Sequence, residues 1–243
     1  MIENQIAIYE LPIGLALNFL INGKEYVVPM AIEEPSVVAA ASSAAKIINQ
    51  AGGFRTKIQE RSMIGQVALK NVPNLDAAKK ALINQKEKIL QIANESKPSI
   101  VNRGGGAKDM TVRTLPTDKE IGNPPFLVVH LHIQTLEAMG ANIIDTMVEA
   151  IKPYLEELTG GDALMGILSN YTTECLATTE CQIPVSLLAR GEYSGEEVRD
   201  RIIEATQFAN VDPYRAVTHN KGVMNGIDAV VIASGNDWRA IEA

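Results

Sequence analysis

FLVVHLHIQ, residues 126–134, is apolar throughout apart from two histidines and a closing glutamine, the pattern of a well-buried strand. The residues around it supply its partners. Upstream, Asp109 to Leu115 (DMTVRTL) alternates polar and apolar as a half-buried strand does. Further upstream, Leu75 to Glu95 reads as one long amphipathic helix. Asn74 or Asp76 stands near its start, and Lys79, Lys80, Lys86 and Lys88 lie on its outer face. Before it, Met63 to Val72 (MIGQVALKNV) is strand-like. Downstream, Met139 to Leu158 forms a second helix, stopped by Gly160-Gly161, and Ala163 to Ser169 a last strand. The order is βαββαβ, the ferredoxin-like split unit. A Rossmann unit is excluded, because no G-x-G-x-x-G follows a strand.

This unit, residues 61–170, is flanked by residues 1–60 and 171–243, which mix strands and helices, so the fold class is α+β. In the first part, the apolar stretch 5–22 ends at Asn22-Gly23, a strong hairpin signal, and KEYVVPM is the returning strand. Pro35 and Ser36 open an Ala-rich helix from Val37, ended by Gly52-Gly53. In the second part, Thr178 to Leu188 reads as a strand and Ser194 to Ala209 as an amphipathic helix with a solvated charged face. Asp212-Pro213 ends that helix.

The totals exclude several classes. The net charge of -7 and pI near 5.1 argue against nucleic-acid binding, which needs a basic face. No apolar run approaches the roughly 20 residues of a membrane span. The start, MIENQIAIYE, has no basic n-region followed by an apolar stretch, so no signal peptide is read there. Cys175 and Cys181 make neither a disulfide framework nor a zinc site, and suit a reducing cytoplasm. His130 and His132 share one strand face but lack further ligands, so no metal is expected.

Chemistry concentrates in Asp212 to Ala243, DPYRAVTHNKGVMNGIDAVVIASGNDWRAIEA. Lys221 lies beside Gly222, with Gly226 near, and these glycines suit close backbone approach to a ligand. An amine here is suited to a developing oxyanion if Asp237 meets it; on residue types alone a solvated surface lysine is an equal reading. Glu33 and Glu34 stand just before a helix start, where they equally complement its dipole. Gly104-Gly105-Gly106, flanked by Arg103 and Lys108, reads as a phosphate loop or as a flexible turn. Met139-Gly140-Ala141-Asn142 opens a helix, where free N–H groups can meet a pyrophosphate.

Three separated segments, in this order, carry a resemblance: PMAIEEPSVVAAAS (Pro29–Ser42), EAMGANIIDT (Glu137–Thr146) and the run from Asp212. They resemble the catalytic, dinucleotide-binding and second catalytic segments of the class II (bacterial-type) 3-hydroxy-3-methylglutaryl-coenzyme A (HMG-CoA) reductases, and the likeness runs from near Ile2 to Ala243. The resemblance implies a large HMG-CoA-binding domain with the βαββαβ unit as its inserted coenzyme domain. The implied reaction is reduction of HMG-CoA to mevalonate and CoA by two NAD(P)H, in the mevalonate route to isoprenoids. By position, Glu34 is the catalytic acid, Lys221 the oxyanion cation and Asp237 their tuning and orienting partner. Ser36, Arg215 and Asn225 become substrate contacts. Glu137, Met139, Gly140, Ala141, Asn142 and Asp145 become coenzyme contacts. Glu137 and Asp145 depart from the family, which often has Asp and Asn there, and the added methylene at Glu137 shifts a ribose contact.

Lys97, Arg103 and Lys108 around the glycine run outweigh Glu95 and Asp109, which favours NADPH over NADH. The family is homodimeric, with the Glu34 segment facing the partner subunit's coenzyme domain. The family also carries helical segments before IENQIA and a late His on a mobile flap that protonates the CoA thiolate. His219 does not match that His. These 243 residues therefore read as truncated at both ends and poorly active alone. The alternative is a non-catalytic CoA-thioester- and nucleotide-binding fragment. An unrelated acyl-CoA transferase or lyase lacks a nucleophile or metal signature here.

Overall fold

The computed structural model describes residues 2–243 and has a mixed α+β fold. In chain order its strands and helices are β1 (Ile13–Ile21), β2 (Lys24–Ala31), α1 (Val37–Gln50), β3 (Arg55–Ile58), β4 (Met63–Lys70), α2 (Leu75–Asn84), α3 (Lys86–Glu95), α4 (Pro98–Val101), β5 (Gly106–Leu115), β6 (Phe126–Gln134), α5 (Ala141–Thr159), β7 (Asp162–Leu168), β8 (Ala177–Glu180), a 3₁₀ turn (Val185–Leu188), α6 (Gly195–Val211), α7 (Pro213–Ala233) and α8 (Trp238–Glu242). They divide into two compact units, residues 58–177 and residues 1–57 with 178–243. Among the described residues no helix is long and apolar enough to cross a membrane.

In the unit of residues 58–177, four antiparallel strands stand in the order β5-β6-β4-β7. Strand β4 alternates buried and half-buried residues, so Met63, Val67 and Leu69 point into one core. Helix α5 presents Ile144, Met147, Val148, Ile151 and Leu155 to that core, and α2 and α3 add Leu82 and Ile89. Gly65 is needed because α5 crosses close: an added Cβ would lie 2.6 Å from Val148 Cγ1. The helix read over 75–95 is broken at Gln85, whose φ of -102° and ψ of 15° leave the helical region. No Gly or Pro marks the break; Tyr154 Oη, from α5, donates to Gln85 Oε1 there at 3.2 Å.

In the other unit, β1 and β2 pair through Asn22-Gly23, whose φ values of 50° and 78° match a two-residue hairpin turn. Helix α1 packs on β1 and α7 on β2, around Ala16, Met30 and Ala229. Ser194 and Glu197 form a reciprocal capping box at the start of α6. The strand read over 178–188 is shorter than its sequence suggests: β8 ends at Glu180, and Val185–Leu188 is a 3₁₀ turn after Pro184, which has no N–H for a ladder.

Candidate active-site residues and a candidate coenzyme turn

Asp212 accepts a hydrogen bond from the Arg215 N–H at 3.0 Å and, with Pro213 at the first position, starts α7. The helix runs unbroken through Lys221, so Gly222 and Gly226 are helical. A Cβ on either would meet nothing within 4 Å. Lys221 and Asn225, four residues apart, share a face. Lys221 Nζ donates to Glu34 Oε2 at 2.8 Å, and Asn225 Nδ2 donates to the same oxygen at 3.2 Å. Glu34 comes from the bend between β2 and α1. The Lys221 and Glu34 side chains are 64% and 46% exposed. An open pair of this kind stabilises a fold by about 1 kcal/mol at most, so stability does not account for the cluster.

Ser36 ends that bend with φ 69°, a left-handed conformation unusual for a side-chain-bearing residue. Its hydroxyl donates to the Pro35 carbonyl and does not cap α1. Strain of this sort collects at functional positions. Arg215 is half-buried in the first turn of α7. Asp237 lies in the turn after α7, where Oδ1 accepts from the Arg239 and Ala240 N–H groups at 3.1 and 3.2 Å and caps α8. It makes no hydrogen bond or ion pair with Lys221 or Glu34 among the described residues. The fold thus joins Glu34, Lys221 and Asn225 directly, with Ser36 two residues from Glu34 and Asp237 engaged elsewhere. An apolar cavity of about 440 Å³ is lined by Phe19, Val28 and Met30 and by Val223, Gly226 and Val230 of α7, and not by Glu34, Ser36, Lys221 or Asn225.

One feature of α7 was missed in the sequence. Asp228 lies three residues after Asn225, and its buried Oδ1 has no hydrogen-bond partner. The side-chain interaction with the Asp228 carboxyl, then burial, push the Glu242 carboxyl above the ordinary range. Two acids fourteen residues apart carry no local signal of meeting, because α8 must fold back to bring them together.

The second candidate region lies wholly in residues 58–177. Gly140 starts α5 with φ 104°, and an added Cβ would lie 2.7 Å from Thr135 Cγ2, so only glycine fits. The N–H groups of Met139, Gly140, Ala141 and Asn142 have no acceptor among the described residues. Ala141 and Asn142 open α5, and Asn142 is exposed. Asp145 faces inward, accepting from the Leu168 N–H at 3.0 Å and tying α5 to β7.

Glu137 pairs with Arg103, bringing the glycine run beside this turn. A hydrogen bond from its own N–H, then the Arg103 charge, holds the Glu137 carboxyl below the ordinary range. The glycine run is packed: a Cβ on Gly105 would meet the Gln134 carbonyl at 2.6 Å, and one on Gly106 would meet Asn94 Oδ1 at 2.5 Å. Only Gly104 borders open space, and its carbonyl accepts from Lys108 Nζ at 2.7 Å. Asp109 pairs with Lys86, whose hydrogen bond is the main cause of its lowered pKa. The histidines on β6 are held by the sheet. The His130 ring nitrogen Nε2 lies 2.7 Å from Gln66 Nε2, and His132 lies 3.2 Å from Thr111 Oγ1 and 3.5 Å from Glu174.

Comparison with known proteins gives this geometry its context. The hydroxymethylglutaryl-coenzyme A reductase family model matches residues 1–243. The 3-hydroxy-3-methylglutaryl-coenzyme A reductase of Archaeoglobus fulgidus is 47% identical over 243 residues, which are 100% of this chain and 54% of that protein. A probable reductase of the same name from Borreliella burgdorferi is 33% identical over the same length, again 54% of its own chain. The chain thus spans about half the length of these relatives.

Among solved structures, the Streptococcus pneumoniae reductase superposes with TM-score 0.94 at 54% identity, over 99% of this chain and 56% of that one. The class II S. pneumoniae enzyme bound to NADPH in open conformations gives TM-score 0.94 at 53% identity, over 99% and 64%. With all of its residues inside the family model and its fold matched at this level, the chain belongs to the hydroxymethylglutaryl-coenzyme A reductase family.

Proposed function

We propose that this chain carries the substrate- and coenzyme-binding part of an NAD(P)H-dependent HMG-CoA reductase. The observation that carries the reading is the convergence of Lys221 and Asn225 on one oxygen of Glu34. The reaction is a four-electron reduction of a thioester to mevalonate and free CoA. Hydride addition to the thioester carbon turns its carbonyl into an oxyanion, and Lys221 is the cation beside it. The C–S bond then breaks, leaving mevaldehyde and the CoA thiolate, which takes up a proton. A second hydride reduces the aldehyde, and Glu34 gives its oxygen a proton. Asn225 and Ser36 bond the hydroxyl and carboxylate of the substrate, and Arg215 takes a carboxylate or CoA phosphate. The resemblance gives Asp237 the orienting of Lys221 and Glu34, a role that its cap on α8 does not itself support.

The βαββαβ unit is the ferredoxin-like coenzyme domain in this reading, and the residues on either side of it form the HMG-CoA-binding domain. Gly140 and the four free N–H groups at Met139–Asn142 suit a pyrophosphate, with Glu137 and Asp145 nearby. NADPH, when bound, supplies the hydrides. It is favoured over NADH by the NADPH-bound S. pneumoniae relative and by Arg103 and Lys108 beside the turn. The Lys86 pairing of Asp109 removes a carboxylate that would repel a 2′-phosphate. We place the protein in the cytoplasm as a homodimer, on the resemblance and the two free cysteines.

The test is calorimetric titration with HMG-CoA, beside a Lys221→Ala, Arg215→Ala double variant, followed by coenzyme oxidation. Binding that the variant loses, with turnover, supports the reductase. Binding without turnover favours a non-catalytic thioester-binding piece, the second reading for a chain spanning half its relatives. A kcat/KM at least as high for NADH as for NADPH overturns the coenzyme preference.

A further inference from the structure

Arg61 has no place in the chemistry above, yet its guanidinium is the most heavily engaged in the unit of residues 58–177. Nη1 donates to the carbonyls of Ala138 at 2.9 Å and Leu136 at 3.3 Å, and Nη2 donates to the Met139 carbonyl at 3.0 Å. Nη2 also lies 3.1 Å from Met63 Sδ at the start of β4. The side chain therefore reaches from just before β4 to gather three carbonyls of the turn that leads into α5.

This gathering has a directional consequence. In a trans peptide the C=O and the following N–H point to opposite sides, and no peptide bond here is cis. With the 138 and 139 carbonyls turned to Arg61, the N–H groups of Met139 and Gly140 must face away from it. The N–H groups of Ala141 and Asn142 follow them, so four donors without acceptors among the described residues stand in succession at the start of α5. The turn does not hold this shape cheaply. Leu136 has φ 53° and Gly140 φ 104°, and the fully buried Thr135 sits beneath, its Oγ1 donating to the Ala138 carbonyl at 3.1 Å. Without the guanidinium, the Leu136 and Met139 carbonyls lose their donor and the Ala138 carbonyl keeps only Thr135 Oγ1, so the 139–140 peptide is no longer held by a side chain.

We infer that Arg61 is a positioning residue for the coenzyme: it sets the peptide orientations at Met139 and Gly140 that aim backbone N–H groups at the pyrophosphate. The inference rests on the coenzyme reading of this turn. Arg61 acts through the backbone and touches no ligand. Its planar fork matters as well as its charge, because a lysine offers one point charge and cannot span three carbonyls.

The experiment compares the intact protein with Arg61→Lys, Arg61→Gln and Asn74→Ala. The last removes the N-cap bond of α2 to the Ala77 N–H at 3.0 Å and serves as a control for general destabilisation of the same unit. NADPH and HMG-CoA affinities are measured separately, with KM and kcat. Arg61→Gln is expected to weaken NADPH binding about tenfold or more, since small misplacements of donors cost affinity steeply. Arg61→Lys recovers only part of that loss, and HMG-CoA affinity stays within about twofold of wild type. Asn74→Ala leaves the NADPH affinity unchanged.

Unchanged NADPH affinity in Arg61→Gln, full rescue by Arg61→Lys, or an equal loss in Asn74→Ala overturns the inference and leaves the coenzyme reading standing. Wild-type protein that binds HMG-CoA but not NADPH overturns both.

Discussion

Lys221, Asn225 and Glu34 form an open ion pair with an amide beside it, worth little to the fold and suited to charge that develops on a substrate. Replacing Lys221 by alanine is expected to lower kcat by about 10²–10³ with a smaller change in KM, followed by coenzyme absorbance. Loss confined to KM would make Lys221 a binding group only. Ser36 offers a sharper test, because its two properties pull in opposite directions. Glycine at 36 relieves the left-handed backbone, so Ser36→Gly is expected to raise stability by about 1 kcal/mol in urea unfolding. The same change removes the hydroxyl and is expected to weaken HMG-CoA binding. A variant both less stable and fully binding would contradict the role given to Ser36.

At the scale of elements, α7 sets the site. Its spacing places Lys221 and Asn225 on one face, and its packing on β2 brings that face near the bend that carries Glu34. Gly222 and Gly226 weaken it, since helical glycine costs about 1 kcal/mol against alanine. A Cβ at either position meets nothing within 4 Å, so Gly222→Ala with Gly226→Ala is expected to raise the chain's unfolding midpoint. A fall instead would show that another surface packs on this face. Helix α5 is tied down differently, through a glycine that tolerates no side chain. Gly140→Ala forces a Cβ onto Thr135 at a φ of 104° and is expected to cost about 1–3 kcal/mol and to impair NADPH binding.

For the whole molecule, individual titrating groups act on stability with opposite signs. Burial first, then the charges of Arg113 and His132, lower the pKa of His130 from its ordinary 6.5. Its imidazole takes up a proton more readily unfolded than folded, so stability is full above about pH 6.5 and falls as pH drops below it. Thermal unfolding of the 58–177 unit is expected at lower temperature near pH 5 than near pH 7, and His130→Gln should flatten that difference. Glu242 works in the other direction: its carboxyl is raised by Asp228, so its contribution is present at low pH and lost as pH rises through the raised value.

By itself the sequence determined the Asn22-Gly23 turn, the start of α2 at Asn74 and the βαββαβ order, because each depends on neighbours a few residues apart. Only the tertiary structure decided that α7 runs unbroken through its glycines, and that a packed partner, Tyr154, sits at the Gln85 break. It alone decided that residues 34 and 221, 187 positions apart, share a hydrogen bond. It also decided that Asp237 caps α8 and that Arg61 holds the turn before α5. Such contacts follow from which faces pack together, and no local period encodes that.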